Sequence, residues 1–236
     1  MRDPRKALSL HRWDVTPAEA REIQLDFRPQ VELRNRMGPL RRVAGADVAF
    51  VTRTTVPQAL AAVVVFSYPG WEELECAIGS APLSFPYVPG LLSFREVPAI
   101  LAALEKLTQP PDLIFCDGQG YAHPRRFGLA SHLGVLLDVP TIGCAKSRLI
   151  GEHREPAARA GSWTPLTDDG ARIGAAVRTR AGSRPVYISC GHRVSLARAI
   201  ALTLEACDGP RVPRPTRRAD RLVALAKHQH SGRSTQ

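Results

Sequence analysis

Residues 112–145, DLIFCDGQGYAHPRRFGLASHLGVLLDVPTIGCA, decide how this chain is read. The short apolar run at 112–116 predicts a buried strand, 126–137 a helix, and 140–145 a second strand. A strand–helix–strand unit implies parallel pairing, because a parallel neighbour needs a crossover and an antiparallel one needs only a turn. Upstream the pattern differs. Residues 42–51, 59–67 and 74–80 are strand-like and joined by short connections, which predicts an antiparallel meander. A helix over 96–107 follows it. Downstream, 171–178 and 185–189 read as strands, Ser195 as the cap of a helix running to 206, and Thr216 as the cap of a helix over 217–227. Near the N-terminus, Thr16-Pro17-Ala18-Glu19 forms a capping box that opens a helix running to about residue 36.

Together these segments predict an α/β domain with a mixed central sheet, meander first and parallel strands after, flanked by helices. The ribonuclease H-like fold is one of several topologies that this order allows. One domain is expected over 1–236, with a loose arm at 1–15 and a frayed tail at 229–236.

The chain has 236 residues, 32 Lys and Arg against 22 Asp and Glu, and a net charge of +10. Such a balance favours a polyanionic partner such as nucleic acid. From Asp208 onward, seven Lys or Arg face two Asp, which reads either as a phosphate-tracking surface or as a solvated basic face. No apolar run is long enough to cross a membrane, and MRDPRKALSLHRWDV lacks the apolar core of a secretory signal. The five cysteines are widely spaced with no CxxC pair, as expected for reduced thiols in a cytoplasmic protein. A monomer is expected.

Three acids stand out. Asp47 lies inside the apolar strand VAGADVAF, where charge is costly; taken alone, it reads more readily as a strand-end acid paired with an arginine. Asp117 ends a buried strand before Gly118-Gln119-Gly120, at the edge where open α/β sheets place ligands; it is equally a turn-capping Asp. Glu96 opens a helix, where acids are common for dipole reasons alone. Together the three offer hard oxygen ligands to Mg²⁺, and Lys146, at the end of the PTIGCAK strand, could offset phosphate charge. A dinucleotide fingerprint fails because its third glycine position is His123, and neither a phosphate-binding P-loop nor a G-x-S-x-G elbow is present. Phe85-Pro86-Tyr87-Val88-Pro89-Gly90 places Tyr87 on a loop stiffened by two prolines. It is either a wedge that stacks in nucleic acid or a buried structural ring.

VAGADVAF, PYVPGLLSFRE, the 117–149 segment DGQGYAHPRRFGLASHLGVLLDVPTIGCAKSRL, and GHRVS followed by PTRRAD resemble the endonuclease V family, from about residue 43 to 221. The resemblance implies a ribonuclease H-like fold and a Mg²⁺-dependent nuclease directed at deoxyinosine in DNA, with Mn²⁺ as a substitute. It implies cleavage of the second phosphodiester 3′ to the lesion, leaving 3′-hydroxyl and 5′-phosphate ends. Inosine-specific cleavage of RNA and inosine binding without catalysis are the alternatives. By the same resemblance, Asp47, Glu96 and Asp117 hold metal, Lys146 is the active-site lysine, and Pro86, Tyr87, Val88 and Pro89 form the wedge, with Val88 in place of the usual Ile. Gly90, Leu92, Gly118, Gly120, His123 and Gly128 form the lesion pocket. Some members carry a metal-proximal His where this chain has Asp220, which adds a fourth acid or only caps the last helix. Arg125, Arg217 and Arg218 are expected at phosphates.

Overall fold

The computed structural model describes residues 1–52 and 55–232, with side chains described through residue 230. Eight strands form a single sheet: β1 (Arg42–Val51), β2 (Gln58–Ser67), β3 (Glu73–Pro82), β4 (Leu113–Cys116), β5 (Thr141–Ala145), β6 (Trp163–Asp168), β7 (Ala171–Val177) and β8 (Val186–His192). Their spatial order is β3-β2-β1-β4-β5-β8-β7-β6. β1, β2 and β3 pair antiparallel, and β1, β4 and β5 pair parallel, as the two sequence patterns predict. Beyond β5 the expectation of continued parallel pairing is corrected: β8 runs antiparallel to β5, and β7 and β6 continue antiparallel.

β2 shows why the sheet sits between helices. Ala59, Ala61, Val63 and Val65 pack on one face with Val97, Ile100 and Leu104 of α3 (Ser93–Leu104) and Leu133 of α4 (Leu129–Leu137). Leu60, Val64 and Phe66 point the other way, onto Ala219 and Val223 of α6 (Arg214–Gly232). Alternate residues of a strand face opposite sides, so a strand covered on both must be apolar throughout, as ALAAVVVF is. α5 (Leu196–Glu205), capped by Ser195, covers β8 and β7.

Four helical expectations change. Residues 1–15 are no loose arm. They hold α1 (Pro4–Leu8), which buries Ala7 completely and is capped by Asp3. Behind it, His11 Nδ1 lies 2.7 Å from the Arg12 carbonyl, His11 Nε2 lies 2.8 Å from His132 Nε2, and His132 Nδ1 lies 2.9 Å from Ser93 Oγ. With both rings neutral, a carbonyl at one end fixes every proton: His11 donates to it, His132 donates to His11, and Ser93 donates to His132. α2 (Pro17–Phe27) has the expected capping box but stops short of residue 36, because Pro29 has no N–H to continue it and a 3₁₀ turn over Arg28–Gln30 takes its place. α6 starts at Arg214, so Thr216 lies inside it and donates to the Pro213 carbonyl rather than capping. The frayed tail is helical through Gly232, and residues 233–236 lie outside the described residues.

Gly45 lets α6 reach the sheet. A Cβ at this position would fall 2.1 Å from the Pro215 carbonyl carbon, so α6 lies directly against β1. That approach brings Asp220 to Asp47.

Candidate active site

Asp47, midway along β1, and Asp117, just after β4, meet where the parallel β1–β4 pairing ends, and the Asp117 N–H donates to the Ala46 carbonyl there at 3.3 Å. Asp220, two turns into α6, completes a group: one carboxylate oxygen from each of Asp47, Asp117 and Asp220 lies within 4.8 Å of the others. Asp220 is therefore not a helix cap. Lys146, just beyond β5, puts its Nζ 2.6 Å from Asp117 Oδ2 and 3.5 Å from Asp220 Oδ1. Glu96, buried in the first turn of α3, stands outside that group but within its field.

The electrostatics show the cost of gathering these acids. Burial, then the Asp117 charge, pushes the Asp47 carboxyl up to about 7. Burial, then Asp47 and Asp117, raises Glu96 well above the usual carboxylate range. Burial pulls the Lys146 ammonium down, but its hydrogen bond to Asp117 and the three aspartate charges outweigh this and leave it raised. Hard oxygen donors that repel one another in a half-buried site fit a divalent cation, which would relieve that repulsion.

Beside the acids opens a cavity of about 340 Å³, with Asp117 and Lys146 in its wall. Tyr87, Val88, Pro89, Gly90 and Leu92 line one side, and Gly118, Gln119, His123 and Gly128 the other. Of the residues expected in the pocket, Gly120 lies behind the wall: its N–H donates to Ser189 Oγ at 2.9 Å, and a Cβ there would meet the Cys190 carbonyl at 2.2 Å. Pro86 is exposed and outside the lining. Tyr87 is 74% exposed, so it is no buried structural ring. Its loop is anchored instead by Phe85, which is buried and stacks on Phe94, and by Arg95, which donates to the Phe85 carbonyl at 2.8 Å.

Gln24 went unnoticed in the sequence. This buried α2 side chain donates to the carbonyls of Gly90 and Phe127, both at 3.1 Å, and so ties together the two loops that wall the cavity. Its own carbonyl accepts from Arg125 Nε at 2.5 Å, and Arg125 Nη2 also donates to the Gly90 carbonyl, at 2.7 Å. Arg125 thus braces the pocket from behind, where phosphate contact was expected. Arg217 and Arg218 are likewise engaged within the protein, with Asp208 and Glu73, each at 2.8 Å. A neutral Gln among helical polar residues carries no signal until its partners are known.

His123 shares this bracing. Its Nδ1 accepts from the Arg125 N–H at 3.2 Å, so Nε2 carries the proton and donates to the Gly90 carbonyl at 2.9 Å. Burial, then the Arg125 charge, lowers it from 6.5 to about 4. The folded state therefore favours the neutral ring. Its contribution is complete above pH 6.5 and is lost as pH falls toward 4, amounting to about 3 kcal/mol. Urea unfolding of wild type and His123→Gln across that window should show a steeper loss for wild type; parallel profiles would remove His123 from the linkage.

The endonuclease V family profile matches residues 25–221. This chain belongs to the endonuclease V family. Endonuclease V of Roseiflexus sp. (strain RS-1) is 51% identical over 216 residues, covering 92% of this chain and 94% of that protein. The crystal structure of endonuclease V from Streptomyces avermitilis superposes with a TM-score of 0.87 at 45% identity, covering 93% of this chain and 96% of that one. Endonuclease V of Ciona intestinalis, solved with a 24mer DNA containing an inosine followed by a ribo-adenosine, gives a TM-score of 0.76 at 26% identity over 90% of this chain and 98% of that one. The chain is thus a nuclease, with the ribonuclease H-like architecture that its strand order allows. Among the described residues, no helix is long and apolar enough to cross a membrane.

Proposed function

We propose that this chain recognises deoxyinosine in DNA and hydrolyses the second phosphodiester 3′ to it, leaving 3′-hydroxyl and 5′-phosphate ends. The observation that carries the reading is the shared wall: Asp117 and Lys146 belong both to the acid cluster and to the 340 Å³ cavity. A base turned out of its stack into that cavity holds its own backbone near the acids. Flipping costs a few kcal/mol and less at a mispair, which favours deaminated sites.

Asp47, Asp117 and Asp220, with Glu96 behind them, would hold Mg²⁺, or Mn²⁺ in its place. The ion's chemistry in such a site is to activate water and to stabilise charge on the phosphodiester. Lys146 sets its ammonium beside Asp117, where it offsets negative charge that builds on the phosphate. Gln24, His123 and Arg125 hold the Gly90 carbonyl from three directions and so keep the cavity wall in place as the base enters. Tyr87 stands ready to fill the gap in the stack.

In the Ciona complex a ribonucleotide follows the inosine, which keeps inosine-containing RNA as a second substrate to test. The experiment is a gel with matched inosine and adenosine strands, as DNA and as RNA, with and without Mg²⁺. We expect Mg²⁺-dependent nicking of inosine DNA. Nicking of RNA alone would move the substrate to RNA, and inosine binding without nicking of either would leave a binding protein.

A further inference from the structure

The segment from Lys146 to Arg148 also walls a second cavity, of about 300 Å³. Arg184, Tyr187 and Arg211 line it too. Tyr187 pairs with Ala145 across β8 and β5, so this cavity lies beside Lys146, one strand further along the sheet from the acids. Arg211 shapes it by donating to the carbonyls of Lys146 and Pro185, at 2.5 and 2.8 Å. The acid in its lining, Glu155, is paired with Arg178. The cavity is therefore strongly cationic.

Arg148 and Arg184 give it a property that Arg217 and Arg218 of the C-terminal helix lack. Both are exposed, and among the described residues neither guanidinium has an intramolecular hydrogen bond or ion pair. Arg217 and Arg218, by contrast, are held by acids. Free guanidinium donors beside a cationic concavity suit the oxygens of a phosphodiester, which arginine can grip with two parallel donors.

We propose that this second cavity binds backbone phosphates of the nucleic-acid strand on the 3′ side of the cut. The assignment rests on the inosine-directed reading of the first cavity. With the lesion base seated there and the cleaved bond 3′ to it at Asp117 and Lys146, the strand leaving past Lys146 arrives between Arg148 and Arg184. The site holds the downstream product by its backbone and reads no base.

The test compares substrates trimmed on one side. Binding is measured without Mg²⁺ on inosine DNA carrying about twelve or about two nucleotides beyond the cut, for wild type, Arg184→Ala and Arg184→Glu. Arg184 is exposed on a loop, so folding is not at stake. Trimming the 3′ side should weaken wild type about tenfold and Arg184→Glu less than about threefold. On the long substrate, Arg184→Ala should flatten the log–log salt dependence by roughly 0.7–0.9, the loss of one phosphate contact. Trimming the 5′ side should affect all three proteins alike. Equal losses for wild type and Arg184→Glu on 3′ trimming would overturn the proposal. If wild type does not prefer inosine to adenosine on the long substrate, it is the reading of the first cavity that fails.

Discussion

Asp117→Asn is expected to abolish Mg²⁺-dependent nicking of inosine DNA, a loss of roughly 10²- to 10³-fold or more. Asp117 touches every part of the site: it holds Lys146 at 2.6 Å, belongs to the aspartate group, and lines the cavity. The amide keeps the shape and removes the charge. Inosine-DNA binding should stay within about tenfold, since the lost negative charge also lowers repulsion of phosphate. Stability gives a second readout. Wild type should gain about 2.7 kcal/mol when Mg²⁺ is a hundredfold above its Kd, and the variant should gain little at that concentration. Without metal the variant should be no less stable than wild type, because Asp47 and Glu96 lose a repelling neighbour. Near-normal nicking together with a full Mg²⁺ shift would remove Asp117 from the metal site.

β2, β4 and β5 are legible in sequence because each is an apolar run bounded by turn signals, and burial on both faces leaves no polar position to blur it; β3, at the sheet edge and largely exposed, is placed by its short connection to β2. β6 is not legible: WTPLTD carries Pro165 and lies at the sheet edge, where a missing N–H is tolerated and half the side chains meet water. α1 is a single turn of five residues, too short to show a period, and its place comes from packing on α3 and α4.

The site divides along the same line. Asp47 and Asp117 declare themselves because a charge in or at the end of a buried strand needs a reason. Asp220 does not, since an acid on a basic, half-exposed helix is ordinary until Gly45 lets that helix touch β1. Gln24 and Arg125 acquire their role only when the loops at 90 and 127 come within reach of one side chain. Such coincidences depend on loop placement, which local pattern does not encode.

Tyr87→Ala is expected to weaken discrimination between inosine-containing and undamaged duplex by about 1–3 kcal/mol, between fivefold and over a hundredfold, with little change in melting temperature. The two halves of that expectation have separate causes. The ring is 74% exposed, so its removal uncovers no core and leaves no void. The loop keeps its shape without it, because Phe85 is buried against Phe94, Arg95 holds the Phe85 carbonyl, and Gly90 is fixed by Gln24, His123 and Arg125. A side chain that projects from so braced a loop, at the mouth of the cavity, with the Arg95 guanidinium 5.9 Å over its ring, contributes little to folding and is placed to act on whatever enters. Tyr87→Phe should be nearly silent, since the ring stacks and the hydroxyl does not. Mg²⁺ stabilisation should survive in both variants, because Tyr87 does not belong to the acid group. Lesion preference, melting temperature and the Mg²⁺ shift measured on the same two proteins decide the matter. An alanine variant that melts normally and still prefers inosine as strongly as wild type would leave the stack to be filled by the rest of the loop, with Val88 the residue to replace next.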